Sequence, residues 1–64
     1  MKRRKFLRYL NRQGCVIDRE GKEHTIVANP AENTQSSVPR HAEIPPNTVR
    51  LICKQLGISL PKEK

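Results

Sequence analysis

Val49, Ile52, Cys53 and Leu56 recur at i, i+3, i+4 and i+7, which lays one apolar stripe along a helix. Pro45, Pro46 and Asn47 stand at its start, where proline suits the first turn and asparagine suits a cap. Gly57 stops it, and Ile58 can fold back on Cys53 in a Schellman ending. A second helical pattern runs through "RRKFLRYLNRQ", residues 3–13. Phe6, Leu7 and Leu10 form its apolar face with Tyr9 at the edge, and Gly14 is placed to end it.

Between the helices the pattern changes to short β-branched runs. "CVIDRE" (residues 15–20) and "HTIVAN" (residues 24–29) read as strands. The segment between them is centred on Gly21 and Lys22, which is hairpin spacing with a glycine available for positive φ. "PAENTQ" (residues 30–35) is rich in turn residues, and "SSVP" (residues 36–39) predicts a short third strand that Pro39 ends. "RHAEIPPN" reads as a loop, and residues 59–64 as a fraying tail. Repeats and low-complexity segments are absent from the sequence.

The order predicts an α+β fold, α-β-β-β-α. Two helices cover one face of a three-stranded antiparallel sheet, and the other face is open to solvent or a partner. A chain of 64 residues is expected to form one domain over residues 1–64. So short a chain buries only about 60% of the surface it exposes when unfolded. Its core is therefore small, with no deep cavity to enclose a cofactor. If it is an enzyme, its site is an open surface with few catalytic groups.

Charge narrows the partners. Thirteen Lys and Arg against six Asp and Glu give a formal net charge of +7. That field attracts polyanions by neutralising phosphate and releasing counterions. RNA, DNA, an acidic protein or an anionic membrane surface would each suit it. No apolar run approaches the roughly 20 residues that span a bilayer. Arginine and asparagine interrupt the opening "MKRRKFLRYLNRQG", so it is not read as a signal peptide, and a cytoplasmic protein is expected.

Arg4, Arg8 and Arg12 are each four residues apart and form one ridge on the first helix. Lys2, Arg3, Arg4 and Lys5 crowd its N-terminus, where the helix dipole disfavours cations. Two readings stand side by side: phosphate contact, or a solvated face with a frayed end. Cys15 and Cys53 make no zinc pattern. They read as small core residues with free thiols, ahead of redox or metal chemistry.

His24 stands at the mouth of the second strand beside Lys22 and Glu23. An imidazole exchanges a proton near neutral pH. Beside cations that hold a phosphate, it could deprotonate a ribose 2′-hydroxyl, which then attacks the adjacent phosphorus. Acid–base help of this kind is worth roughly 10² to 10⁴ in rate. Cations on the phosphorane add electrostatic stabilisation. A lone surface histidine is also often a bystander, and the residues alone leave that open.

His41 follows Arg40 in the loop and could supply a second proton relay, a phosphate contact, or only backbone hydrogen bonds. No serine or cysteine has a nucleophile's partner set, and no metal or cofactor is called for. No glycine pattern makes a P-loop or a dinucleotide fingerprint. Phe6 and Tyr9 are the only aromatics, too few for strand binding by base stacking.

Four stretches in this order and spacing carry a resemblance: "RRKFLRYLNRQGCV", "GKEHTIVANP", "VPRH" and "IPPNTVRLICKQLGIS". Together the chain resembles the HicA toxins of bacterial toxin–antitoxin modules, small messenger-RNA interferases with a double-stranded-RNA-binding-domain-like fold. The resemblance runs from Lys2 to about Ser59. It implies an α-β-β-β-α domain, a metal-independent endoribonuclease acting on mRNA, and His24 as the catalytic residue. It implies a HicB-like antitoxin partner that covers the site around His24. The free toxin is expected to be a monomer that joins a larger complex with the antitoxin.

Lys22 and Arg40 are then the candidates to neutralise phosphate, with His41 as a possible second group. Arg4, Arg8 and Arg12 would guide RNA along the first helix. Where the family often has a small serine directly before the histidine, this chain has Glu23, whose carboxylate can orient the imidazole or repel phosphate. Two other readings compete. One is a non-catalytic module that binds duplex RNA by shape. The other is a basic adaptor for an acidic protein.

Overall fold

Phe6 and Leu10 lie one helical turn apart, and both are fully buried, which fixes how the first helix faces the rest of the chain. The computed structural model describes residues 1–61. Helix α1 (Arg3–Arg12) is followed by strands β1 (Val16–Glu20), β2 (His24–Asn29) and β3 (Thr34–Pro39), then by helix α2 (Pro46–Leu56). The strands form one antiparallel sheet in the order β1-β2-β3. This is the α-β-β-β-α order that the sequence predicts.

Both helices end as their glycines require. Gly14 has φ 91° and Gly57 has φ 74°, a region that a side chain disfavours. Past each glycine the chain turns back: the Cys15 N–H donates to the Leu10 carbonyl at 2.9 Å, and the Ile58 N–H to the Cys53 carbonyl at 3.0 Å. Ile58 packs on the core from there. Cys15 thus belongs to the helix ending, and β1 starts one residue later than the β-branched run suggests.

The helix starts differ from expectation. Pro45 occupies the cap position of α2 and Asn47 lies inside its first turn, with no side-chain cap bond. The two prolines set the backbone for the first turn without one. The N-terminus of α1 is held, not frayed. Ile44 N–H donates to Met1 O at 2.7 Å, Arg3 N–H to Ala42 O at 2.9 Å, and the terminal amine to Ile44 O at 3.1 Å. Glu43 adds an ion pair with that amine at 3.5 Å.

Strand β3 begins at Thr34, two residues before the expected start. Asn33 takes φ 55° and closes the preceding turn, which frees Thr34 and Gln35 to pair with Asn29 and Ala28. Along β2, Thr25, Val27 and Asn29 are buried while His24 is exposed, so odd positions face the helices. Val27, Val38 and Ile44 join Phe6, Leu10, Cys15, Val49, Ile52, Cys53 and Leu56 in a single core cluster.

Ile44 is a core residue inside a segment whose pattern reads as loop. Conversely, Val16 and Ile17 are about half exposed (48% and 51%), because β1 is an edge strand that the helices leave bare. Asn29 and Thr34 both donate to the Leu56 carbonyl, at 2.8 and 2.9 Å, and tie the far end of the sheet to α2. Both cysteines are free and buried, and burial pushes their thiols up from the ordinary value. Tyr9 donates to the Ser59 carbonyl at 2.5 Å, so the expected tail is anchored at its first residue; residues 62–64 of it lie outside the described residues.

Candidate active site

The β1–β2 corner is shaped by a bulge. Pairing runs Val16 to Ala28 and Ile17 to Val27, then resumes with Arg19 to Ile26 and Glu20 to Thr25. Asp18 is the extra residue. Without it, Arg19 would turn toward the helices and Glu20 toward the open face, because successive residues alternate. The bulge exchanges them. Arg19 now shares the open face with Ile26 and Ser37, one row from His24, which pairs with Pro39. Glu20 sits on the helix side beside Thr25, whose hydroxyl donates to Glu20 Oε1 at 2.7 Å.

His24 is the first residue of β2 and is exposed. The segment of residues 21–23 brings it there in a tight turn. Gly21 N–H donates to the His24 carbonyl at 2.7 Å. Gly21 does not take the positive φ that hairpin spacing suggests; among the glycines only Gly14 and Gly57 do. Its role is close approach, since a Cβ there would stand 3.0 Å from the His24 carbonyl oxygen.

Arg40 follows β3 and returns to the same corner. Its N–H donates to the Glu23 carbonyl at 3.2 Å, and its guanidinium donates to Glu20 Oε1 at 2.9 Å and to the Gly21 carbonyl at 3.0 Å. Lys22 is exposed in the turn, two residues from His24. His41 is exposed next to Arg40. The structure therefore gathers His24, Lys22, Arg40 and Arg19 at one end of the sheet. The sequence did not mark Arg19, because the signal for it is a bulge and bulges have no reliable composition.

The α1 cations are spread out. Arg4, Arg8 and Arg12 are all exposed on the face opposite Phe6 and Leu10. Arg3 belongs elsewhere: its Nε donates to the Pro39 carbonyl at 3.1 Å and its Nη2 to Thr25 Oγ1 at 2.6 Å. That contact puts the N-terminal end of α1 beside the corner, so Arg4 is nearest and Arg12 is about 12 Å farther along the axis. Arg8 and Arg12 instead line a cleft of about 530 Å³ with Tyr9 and Ser59 to Pro61. None of its lining residues belongs to the sheet. Among the described residues, no group of three or more His, Cys, Asp and Glu could hold a metal ion, and no helix is long and apolar enough to cross a membrane.

An exposed histidine with cations at a bulged sheet corner, on an α-β-β-β-α chain, can be compared with known proteins. The family model described as HicA toxin of bacterial toxin–antitoxin modules matches residues 3–58, which takes in every element and the whole corner. The chain belongs to the HicA toxin family. It is thus a toxin of a toxin–antitoxin system, a family whose members pair with an antitoxin and act on RNA in general. Comparison with curated proteins and with solved structures gave no match. For this HicA-type toxin a nuclease activity is consistent with the family.

Proposed function

We propose that this toxin is a metal-independent endoribonuclease in which His24 is the general base, and that it cleaves mRNA by transesterification. The observation that carries the reading is the exposed His24 imidazole on the open sheet face, with Arg19 one row away and Lys22 in the adjoining turn.

RNA lies across the open face with a phosphate beside His24. The imidazole takes the proton of the ribose 2′-hydroxyl. The 2′-oxygen attacks the adjacent phosphorus, and the bond from phosphorus to the 5′-oxygen breaks. A 2′,3′-cyclic phosphate and a free 5′-hydroxyl result. The departing oxygen gains its proton from the imidazolium, from His41 or from water. Lys22 and Arg19 stabilise the charge that builds on the phosphorane, with Arg40 as a weaker contributor. Arg4 extends the basic path from the corner onto α1, and Arg8 and Arg12 continue it.

A HicB-like antitoxin inhibits by covering the open face at His24. The free toxin is a monomer in this reading and enters a larger assembly with its antitoxin. The chemistry is tested with two oligonucleotides of one sequence in excess EDTA, one all RNA and one with a 2′-deoxyribose at the cleaved position. The RNA should be cut to a cyclic phosphate end and the substituted strand should stay whole at that position. Cleavage of both to the same extent would exclude attack by the 2′-oxygen. Binding of duplex RNA without cleavage would leave the non-catalytic module.

A further inference from the structure

A continuous chain of hydrogen bonds runs beneath His24 without touching its ring. Arg3 donates from Nε to the Pro39 carbonyl at 3.1 Å and from Nη2 to Thr25 Oγ1 at 2.6 Å. Thr25 donates to Glu20 Oε1 at 2.7 Å. Arg40 donates to the same carboxylate oxygen at 2.9 Å and to the Gly21 carbonyl at 3.0 Å. Thr25, at the centre, is wholly buried.

We infer that Arg3, Thr25 and Glu20 are positioning residues that fix the backbone of His24 for catalysis, an inference that rests on the ribonuclease reading of His24. Every anchor of the chain is a neighbour of that residue. Thr25 follows it, Pro39 faces it across the sheet, and Gly21 bonds to its carbonyl. The direction of each bond is settled by chemistry. A guanidinium only donates, so the Thr25 hydroxyl must accept from Arg3 and can give its single proton only to Glu20. The planar fork of Arg3 spans β2 and β3 at the row that holds His24, which a lysine's single nitrogen does not reproduce. The bulge at Asp18 is what delivers Glu20 to the helix side, where it completes the chain.

The alternation of the strand then divides the labour. Thr25 points down into the network, and His24 points up to the open face. Losing the network lets the strand end and the turn shift, which changes the distance from the imidazole to a bound ribose without removing any group that contacts RNA. Such a loss lowers the rate of the chemical step and leaves RNA binding in place.

The test is cleavage kinetics and thermal melting of the full chain with Thr25→Val, Thr25→Ser, Glu20→Ala and His24→Ala. Thr25→Val should lower kcat about 10- to 100-fold with KM changed less than about twofold, and Glu20→Ala should lower kcat by as much with KM unchanged or lowered, because it also frees the Arg40 guanidinium for phosphate. Thr25→Ser keeps the hydroxyl and should restore most of the rate. Glu20 is half exposed, so Glu20→Ala remains informative even where Thr25→Val does not fold. An unchanged kcat in folded Thr25→Val or Glu20→Ala, or a loss that Thr25→Ser does not recover, overturns the inference. Full activity in His24→Ala would instead overturn the ribonuclease reading on which it stands, and that arm is read separately.

Discussion

Arg40 holds its guanidinium 2.9 Å from a Glu20 carboxylate oxygen, whereas no described residue pairs with the Lys22 or Arg19 side chain. Two cations at the corner are therefore available to phosphate, and a third is already partly neutralised. On a non-cleaving His24→Ala background, Lys22→Ala and Arg19→Ala should each flatten the dependence of log affinity on log salt by about 0.7 for single-stranded RNA, one phosphate contact apiece. Arg40→Ala should change that slope less. Fluorescence anisotropy titrations over a salt series measure it, and equal slopes for all three variants would contradict the ranking.

Gly21 and Gly57 make opposite predictions. Gly57 has φ 74°, so Gly57→Ala strains the backbone by about 1–2 kcal/mol far from the corner. It should lower the unfolding midpoint and leave the cleavage rate of the folded protein unchanged. At Gly21 an added methyl stands 3.0 Å from the His24 carbonyl oxygen, and the turn must shift to admit it. Gly21→Ala should lower kcat by about 10-fold or more through that shift. Urea denaturation beside cleavage kinetics separates the two effects.

Ile44 lies in the segment before α2 and has no exposed surface. Ile44→Ala should cost about 2–5 kcal/mol. A chain of this length has on the order of 3–10 kcal/mol of total stability. The substitution should thus unfold a large fraction of the molecules near physiological temperature. Ile17→Ala, at a side chain that is half exposed, should cost under about 1 kcal/mol. Chemical denaturation of both variants checks the contrast.

Alkaline pH should weaken the fold. Burial raises the Cys15 and Cys53 thiols above the ordinary value of 9.0, and for Cys53 the nearby Cys15 adds to the effect. A raised folded-state pKa means that the unfolded chain loses these protons first. Their contribution is fully present below the ordinary thiol value and is lost as pH rises through the raised ones. Unfolding midpoints should fall above about pH 9. The same burial should protect both thiols from a disulfide-exchange reagent at neutral pH until the protein is denatured, and fast labelling of the native protein would contradict it.

What the sequence revealed follows from what is local. A glycine after a helical stripe is a short-range signal, so both helix ends were legible at Gly14 and Gly57. The strand that opens with His24 was legible because its run is β-branched and follows a glycine turn at hairpin spacing. The exposure of the edge strand was not legible, because Val16 and Ile17 have core composition and whether a helix covers them is a tertiary fact. Nor was the burial of Ile44, since one apolar residue among loop residues has no period.

At the site, His24 and Lys22 were visible because a turn and a strand mouth adjoin in sequence. Arg3 looked like one more cation in a basic cluster, and its partners Thr25 and Pro39 are 22 and 36 residues away. Arg19 and Glu20 were hidden by the bulge, which inverts the faces that simple alternation assigns to them.

The most direct test of the whole account is single-turnover cleavage of an RNA oligonucleotide by the native chain and by His24→Ala, in excess EDTA, with RNA binding measured on the same preparations. The account predicts that the native chain cleaves to 2′,3′-cyclic phosphate ends. His24→Ala should bind RNA with similar affinity and cleave at least about 10²-fold more slowly. Equal rates for the two proteins would show that the histidine at the mouth of β2 is not where the proton moves.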